Sequence, residues 1–194
     1  GLNAAIETAR GGRSTLVLDA EAIGFGCSTR NGGQISTSVK PTLKKLTASF
    51  GAEKARAIRQ EGANALEWIE RRIKNEKIDC DFVRSGRYHA AHTPQHYEMI
   101  AREAEQLRTE ENIEAHAIAH SDQRTELGSD RYFGGVVFSR HASLHPAKYH
   151  QGLVEAALAA GAMIKGHCRV LDIQRTSNGF EIATELGRVS AKSV

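Results

Sequence analysis

A short apolar run that ends in an acidic residue, followed at once by a glycine-rich polar loop, constrains the fold of this chain most. Thr15 to Leu18 has the pattern of a buried parallel strand, Asp19 closes it, and the loop continues to Gln34. An acid at a strand end can accept hydrogen bonds from ribose hydroxyls, and glycines let a backbone approach phosphates. The pattern therefore predicts part of a nucleotide-binding α/β domain.

The segment before this strand supports the same interpretation. Gly1 to Ala9 predicts a helix with small residues on one face, ended by the glycine pair Gly11-Gly12. If Gly1 is the third glycine of a G-x-G-x-x-G turn, Asp19 follows at about the 20-residue distance of a ribose-binding acid. We therefore expect the first strand and the first two glycines of that turn upstream of Gly1. An ordinary helix and strand without a cofactor is the open alternative.

The loop after Asp19 favours a cofactor over that alternative. Its glycines permit close backbone approach and positive φ, and its polar side chains offer hydrogen-bond donors. Such a loop suits the phosphates and the polyol of a flavin dinucleotide better than a plain NAD site, although a turn-rich surface loop would look similar. The residues concerned are Gly24, Gly26, Gly32 and Gly33, with Ser28, Thr29, Arg30, Asn31 and Gln34.

Composition narrows the class of protein. The 194 residues are 40% apolar. The 26 basic and 23 acidic side chains are interspersed along the chain and give a net charge of +3. This balance argues against a nucleic-acid partner. No apolar run approaches the roughly 20 residues that a membrane span needs. Three scattered cysteines without a CxxC motif suit a reducing compartment. We therefore predict a soluble, cytoplasmic protein.

The rest of the chain alternates helical and strand patterns. Asn178-Gly179 lies between two alternating runs and is a strong hairpin signal, so we predict a β-meander from Met163 onward. The other predicted elements are a long helix from Ala48 to about Lys77, strand material from Cys80 to Thr93, helices from Pro94 to about Glu110 and from Pro146 to Ala160, and strands at Ile113–Ala119 and Gly134–Phe138.

These segments carry a family resemblance. The run VLDAEAIGFGCSTRNGGQ resembles the amine-oxidising branch of the D-amino-acid oxidase superfamily of FAD-dependent enzymes, and within it the γ-glutamylputrescine oxidase group. Asp19 stands where that family more often has Glu, which keeps the carboxylate and shortens its reach. Further similar segments are Phe133–Val137, Leu144–Tyr149, Gly152–Leu153, Ala160–Ile164 and Arg169–Ile173.

The resemblance implies FAD as cofactor and an amine as substrate. In that family the carbon next to the nitrogen delivers a hydride equivalent to the flavin, and oxygen is the expected acceptor. Asp19 would hold the adenosine ribose, residues 28–33 the pyrophosphate and ribityl region, and Val170 the adenine through its backbone. The implied cofactor-binding residues are Gly1, Asp19, Ala20, Gly26, Cys27, Ser28, Arg30, Asn31, Gly32, Gly33, Gln34 and Val170. No catalytic residue can be assigned.

The predicted fold class is α/β with α+β elements: part of a Rossmann-like FAD-binding domain with its β-meander, plus part of a mixed α+β substrate domain. We predict a partial FAD-binding domain in residues 1–47, a helical and strand insertion with part of the substrate domain in 48–145, and the continued FAD-binding domain in 146–194. A chain with these limits is expected to bind FAD poorly, so that it carries no bound flavin, and to lack turnover by itself. Two alternatives remain: a nicotinamide-dependent Rossmann dehydrogenase, and a non-catalytic module that retains the fold.

Other chemistry-bearing residues are interpreted as structural. The histidine pairs His141/His145 and His116/His120 lack a convincing helix and the carboxylate of an HExxH site, so no metal is predicted. Cys27 has no evident His and acid to make it a nucleophile. Cys80 and Cys168 are expected in the core, and Trp68 is expected to be buried on the long helix.

Overall fold

A computed structural model describes all residues of the chain, 1–194. Two compact units are present. Unit 1 comprises Gly1–Gly32, Ile73–Cys80 and His145–Val194, and unit 2 comprises Gly33–Arg72 and Asp81–Leu144. Both contain helices and strands, so the predicted mixed α/β class is confirmed. The predicted functional domain limits, 1–47, 48–145 and 146–194, stay a prediction.

Five α-helices, ten strands and a short 3-10 helix at His120–Thr125 form the fold. The helices are α1 (Leu2–Arg10), α2 (Leu43–Phe50), α3 (Ala52–Glu76), α4 (Pro94–Glu111) and α5 (Pro146–Ala159). The strands are β1 (Leu16–Leu18), β2 (Gln34–Ile35), β3 (Arg87–Ala90), β4 (Ala115–Ile118), β5 (Gly135–Phe138), β6 (Ala142–Ser143), β7 (Met163–Lys165), β8 (Val170–Thr176), β9 (Gly179–Thr184) and β10 (Gly187–Ala191).

Unit 1 contains a parallel strand pair beside two helices. β1 pairs in parallel with β7, with Val17 opposite Ile164, and α1 contacts α5. The prediction that Met163 opens the β-meander is therefore wrong. Gly161, at φ 90, ends the turn after α5, and Met163 then donates its N–H to Thr15. A period-two pattern identifies a strand but not its partner, because pairing depends on contacts distant in sequence.

The β-meander of unit 1 consists of β8, β9 and β10, all antiparallel. Its first hairpin closes with Thr176 opposite Gly179, so the predicted hairpin is confirmed. The turn lies one residue earlier than predicted, because Ser177 and Asn178 form it and Gly179 is already the first residue of β9. The second turn is held by the hydroxyl of Thr184, which donates to the carbonyl of Gly187 at 2.9 Å. Every residue of β8 is exposed, whereas Ile182 of β9 is buried.

Unit 2 is built on a three-stranded antiparallel sheet in the order β3-β5-β4, against which α4 packs. Thr93 caps α4 by accepting the N–H of His96, Pro94 occupies the first turn, and Asn112 ends the helix in a left-handed conformation. These local signals explain why α4 matches its predicted limits. Its core residues are Ala91, Ile100, Ala104, Ala115 and Val136.

Three further expectations are wrong in detail. The long helix predicted from Ala48 is broken at Gly51, whose φ of 81 ends α2 before α3 begins. Of the strand material predicted from Cys80, only β3 forms a strand, and Val83 makes an isolated bridge to Ser143. Trp68 is 41% exposed, and the guanidinium of Arg72 lies over its ring, 5.0 Å from the ring centre. Cys80 and Cys168 are buried as predicted.

None of the helices has both the length and the apolar character needed to cross a membrane.

Candidate cofactor site

Asp19 directly follows β1. Its backbone extends the pairing between β1 and β7 into the segment that follows β7. Its N–H donates to Lys165 at 2.9 Å, and its carbonyl accepts the N–H of Cys168 at 2.9 Å. One carboxylate oxygen, Oδ1, accepts the N–H of Glu21 at 3.0 Å. This Asx turn fixes the orientation of the side chain and leaves Oδ2 for a further donor.

The same pairing brings the start of β8 alongside the acid. Val170 follows Cys168 by two residues, and its side chain is 39% exposed. Arg169 donates to the carboxylate of Glu21 at 3.0 Å, which adds a second link between the two segments. The predicted ribose-binding acid and the predicted adenine-binding strand are therefore neighbours in unit 1.

The cofactor loop, residues 20–32, is held by hydrogen bonds within itself. The hydroxyl of Thr29 donates to the carbonyl of Gly24 at 2.6 Å, and Nδ2 of Asn31 donates to the carbonyl of Cys27 at 2.8 Å. Gly24 and Gly26 have positive φ, at 83 and 88. Because these bonds close short turns, the loop has a defined shape of its own.

The outer surface of the cofactor loop is open. A Cβ placed on Gly26 or Gly32 would meet no atom within 4 Å. The guanidinium of Arg30 lies over the ring of Phe25, 4.5 Å from its centre, and Phe25 is itself 60% exposed. Ala20 is half-buried beside Asp19, and the predicted cofactor-binding residues of the loop that are exposed are Cys27, Ser28, Arg30, Asn31 and Gly32.

The other predicted residues occupy separate places. Gly1 caps the N-terminus of α1 with its carbonyl accepting the N–H of Ala5, and the space around its Cα is open. Gly33 and Gln34 belong to unit 2, where Gly33 accepts the N–H of Leu144 and Gln34 pairs with Ser143. Ten of the twelve predicted cofactor-binding residues thus belong to unit 1 and two to unit 2.

Sequence reasoning missed two residues at the loop. Phe25, beneath Arg30, carries no local signal beyond being an aromatic residue among glycines. His150, on α5, lies so close to Gly24 that a Cβ there would be 2.7 Å from Cε1 of the imidazole. Burial lowers the pKa of His150, and the negative charge of Asp19 partly opposes that shift. Only the tertiary structure brings His150 to the loop.

The histidine pairs that the sequence suggested are structural in this fold. His141 is 4% exposed, and burial together with the charge of Arg87 lowers its pKa. His145 caps α5 by accepting the N–H of Lys148. His116 lies in β4 and His120 begins the 3-10 helix. No group of three or more His, Cys, Asp or Glu residues has a geometry that could hold a metal ion.

Comparison with protein families and curated proteins gives consistent matches. A family model described as FAD dependent oxidoreductase matches residues 1–194. The γ-glutamylputrescine oxidoreductase of Escherichia coli K12 is 30% identical over 194 residues, which are the whole of this chain and 45% of that protein. A probable oxidoreductase OrdL of Haemophilus influenzae is 27% identical with the same coverage. The chain thus spans about 45% of the length of these curated relatives.

Solved structures show the same fold. Glycine oxidase from Geobacillus kaustophilus superposes with a TM-score of 0.78 at 18% identity, over 99% of this chain and 50% of that one. L-amino acid deaminase from Proteus vulgaris gives a TM-score of 0.76 at 15% identity, over 100% of this chain and 44% of that one. At these identities the likeness concerns the fold alone.

Proposed function

Because this chain belongs to the FAD-dependent oxidoreductase family, as its sequence predicts, we propose that unit 1 binds the adenosine and phosphate parts of FAD. The family is FAD-dependent and consists of enzymes. A nicotinamide-dependent dehydrogenase, the alternative left open by sequence, has no support in these matches.

The observation that carries the proposal is the setting of Asp19. Its Oδ1 is engaged by Glu21 N–H, its Oδ2 is available, and the segment leading to Val170 lies beside it. We propose that a carboxylate held in this way accepts hydrogen bonds from the ribose hydroxyls, and that the backbone of the adjacent strand meets the adenine. The residues of unit 1 therefore fit the adenosine half of FAD.

The cofactor loop supplies the groups proposed for the phosphates. Ser28 and Arg30 are exposed, and Phe25 holds the guanidinium of Arg30 in a defined direction. Gly26 and Gly32 leave room for close backbone approach. Asn31 uses Nδ2 to bond Cys27, so its proposed part is to shape the loop. Gly1, at the start of α1, adds the partial positive charge of a helix N-terminus.

For the whole protein we propose oxidation of a primary or secondary amine, of the γ-glutamylputrescine or amino-acid type, with oxygen as acceptor. The names of the relatives support the class, since γ-glutamylputrescine, glycine and an L-amino acid all carry an amino group. FAD, when bound, supplies the acceptor for the hydride equivalent. The residues of this chain bind and orient the cofactor, and we assign no catalytic role to any of them.

The test is an FAD titration of the 194-residue chain, followed by quenching of flavin fluorescence, with weak binding expected. Asp19→Asn keeps the shape of the side chain and removes its charge. Charge-assisted hydrogen bonds contribute about 1.5–3 kcal/mol, so we expect affinity to fall about 10- to 100-fold. The matched control, Asp122→Asn on the 3-10 helix of unit 2, should bind as the wild type does.

Competing nucleotides sharpen this experiment. ADP contains the part of FAD assigned to unit 1, so it should displace FAD, whereas FMN, which lacks the adenosine, should not. Equal affinity of Asp19→Asn and wild type, or displacement by FMN alone, would contradict the proposed site.

A further inference from the structure

One contact links α5 to the cofactor loop. An ideal Cβ on Gly24 would lie 2.7 Å from Cε1 and 2.9 Å from Nδ1 of His150, and 3.0 Å from Cγ2 of Thr29. The backbone of Gly24 therefore rests directly on the edge of the imidazole. Gly24 is buried, and its φ is 83. A side chain at this position is therefore disfavoured both by the contact with His150 and by the positive φ.

Gly24 also takes part in the hydrogen bonds that shape the cofactor loop. Gly24 accepts the hydroxyl of Thr29 at 2.6 Å, and Phe25 donates its N–H to Ala22 at 2.9 Å. The turn that begins at Gly24 thus sets the path of the residues proposed to meet the phosphates. α5 is in turn anchored in unit 1 by its contacts with α1. The packed helix α5 therefore places the planar imidazole of His150 against Gly24 of the cofactor loop.

We propose that His150 is a positioning residue for FAD binding, whose imidazole seats Gly24 and so holds residues 20–32 in the cofactor-binding shape. This inference rests on the proposed function of unit 1. His150 acts through the loop and touches no part of the reacting system.

The charge state of His150 agrees with this role. Burial lowers its pKa, which favours the neutral imidazole at pH 7.5, and Asp19 only partly offsets the shift. A neutral imidazole can pack against the backbone without forming an ion pair with the Asp19 carboxylate. The carboxylate consequently stays available to the ribose.

Two measurements on the 194-residue chain test the inference. Amide hydrogen exchange, read by NMR, reports the order of residues 24–31 without any cofactor, and the FAD titration reports the consequence for binding. In His150→Ala we expect exchange in residues 24–31 to accelerate about tenfold or more while β9 keeps its protection. FAD affinity should fall about tenfold. His150→Asn, which retains a planar polar group near the Nδ1 position, should recover part of both losses.

Gln151→Ala is the matched control, because Gln151 is the next residue of α5, is exposed, and bonds Glu155 of its own helix. It should change neither measurement. A double-mutant cycle isolates the contact: Gly24→Ala should weaken FAD binding less in His150→Ala than in the wild type, since the clash with the imidazole is gone and the contact with Thr29 remains.

Loop exchange in His150→Ala equal to that of the wild type would overturn the inference, whatever happens to FAD. Faster exchange with unchanged FAD affinity would also overturn it. If the wild-type chain takes up no FAD, the proposed function fails, and the exchange rates alone then decide whether His150 holds the loop.

Discussion

The two three-stranded antiparallel sheets of this chain differ in what covers them. In unit 2, α4 packs on the sheet and Val136 of the central strand is 1% exposed. In the meander of unit 1, every residue of β8 is exposed, with Leu171 at 61% and Ile173 at 46%. Although both sheets have three antiparallel strands, we therefore expect them to differ in stability. The first sheet has a core of its own, and the second has an exposed strand that begins at the proposed adenine contact, Val170, and carries the apolar residues Leu171 and Ile173.

A charged residue introduced into each sheet should give the largest difference between the two sheets. Val136→Asp would bury an unpaired carboxylate, and we expect the free energy of unfolding of unit 2 to fall by about 4 kcal/mol or more. Urea denaturation followed by the fluorescence of Trp68, which belongs to unit 2, measures it. Ile173→Asp on β8, where the side chain is 46% exposed, should cost only about 1–1.5 kcal/mol, read from the exchange of β9 amides. Equal costs would remove the contrast.

Truncation of an apolar side chain gives a smaller difference. Ile100, 5% exposed on α4, packs on the unit 2 sheet, so Ile100→Ala should destabilise unit 2 by about 2–4 kcal/mol. Leu171→Ala in β8 removes a side chain that is already mostly in solvent, and a loss below about 1 kcal/mol is expected. The same two readouts apply, and a larger loss for Leu171 would show that the meander has a hidden core.

Acid should weaken unit 2 more than the meander. The pKa of His141, which is 4% exposed, is lowered chiefly by burial, so the folded state binds fewer protons than the unfolded state. The pKa of His89 is lowered in the same direction, but this residue is exposed in β3 and contributes little to the effect. The stability is complete above the unfolded pKa of about 6.5 and is lost as pH falls through it towards the folded pKa. Between pH 7.5 and 5.5, the urea midpoint reported by Trp68 should therefore decrease.

His141→Leu is the control for this pH effect and should flatten the slope, since His141 is the more deeply buried of the two. Residues 170–191 contain no histidine, so β9 exchange, corrected for its intrinsic pH dependence, should change little. A slope that is identical in His141→Leu and wild type would assign the effect to other groups.

The smallest expected difference concerns surface ion pairs. Arg84 bridges Glu67 and Glu70 in unit 2, and Arg169 bonds Glu21 at 3.0 Å in unit 1. All are solvent-accessible, so Arg84→Ala and Arg169→Ala should each lower the thermal midpoint by about 2 °C or less, and added salt should shrink the change further. A large loss for either variant would mean that its ion pair organises a unit.

Elements with strong local signals were predictable. The limits of α4 follow from Pro94 and its cap, α5 begins at Pro146, and the hairpin indicated by Asn178-Gly179 forms. Errors arose where the outcome depended on distant partners. The strand pattern at Met163 does not reveal that β7 pairs with β1, and an apolar ring such as Trp68 does not reveal that Arg72 covers it in solvent.

The candidate site divides in the same way. Asp19 and the loop glycines could be singled out from sequence because a strand end, an acid and turn residues leave a pattern within a few neighbouring positions. The start of β8 was singled out only by the family resemblance. His150 was not identified, since its contact with Gly24 exists only after α5 has packed in unit 1. Phe25 beneath Arg30 was missed because cation–π geometry depends on how the loop folds.

Sequence was enough to identify the family resemblance, the strand that ends in Asp19, and the glycines that allow the loop to turn. These properties are encoded over short stretches, through steric limits on φ and ψ and through the hydrogen bonding of nearby side chains. Tertiary structure alone decided that β7 completes the β1 pair, that Gly33 and Gln34 belong to unit 2, and that an imidazole supports Gly24. Those outcomes depend on close packing between segments far apart in the chain, which no local pattern records.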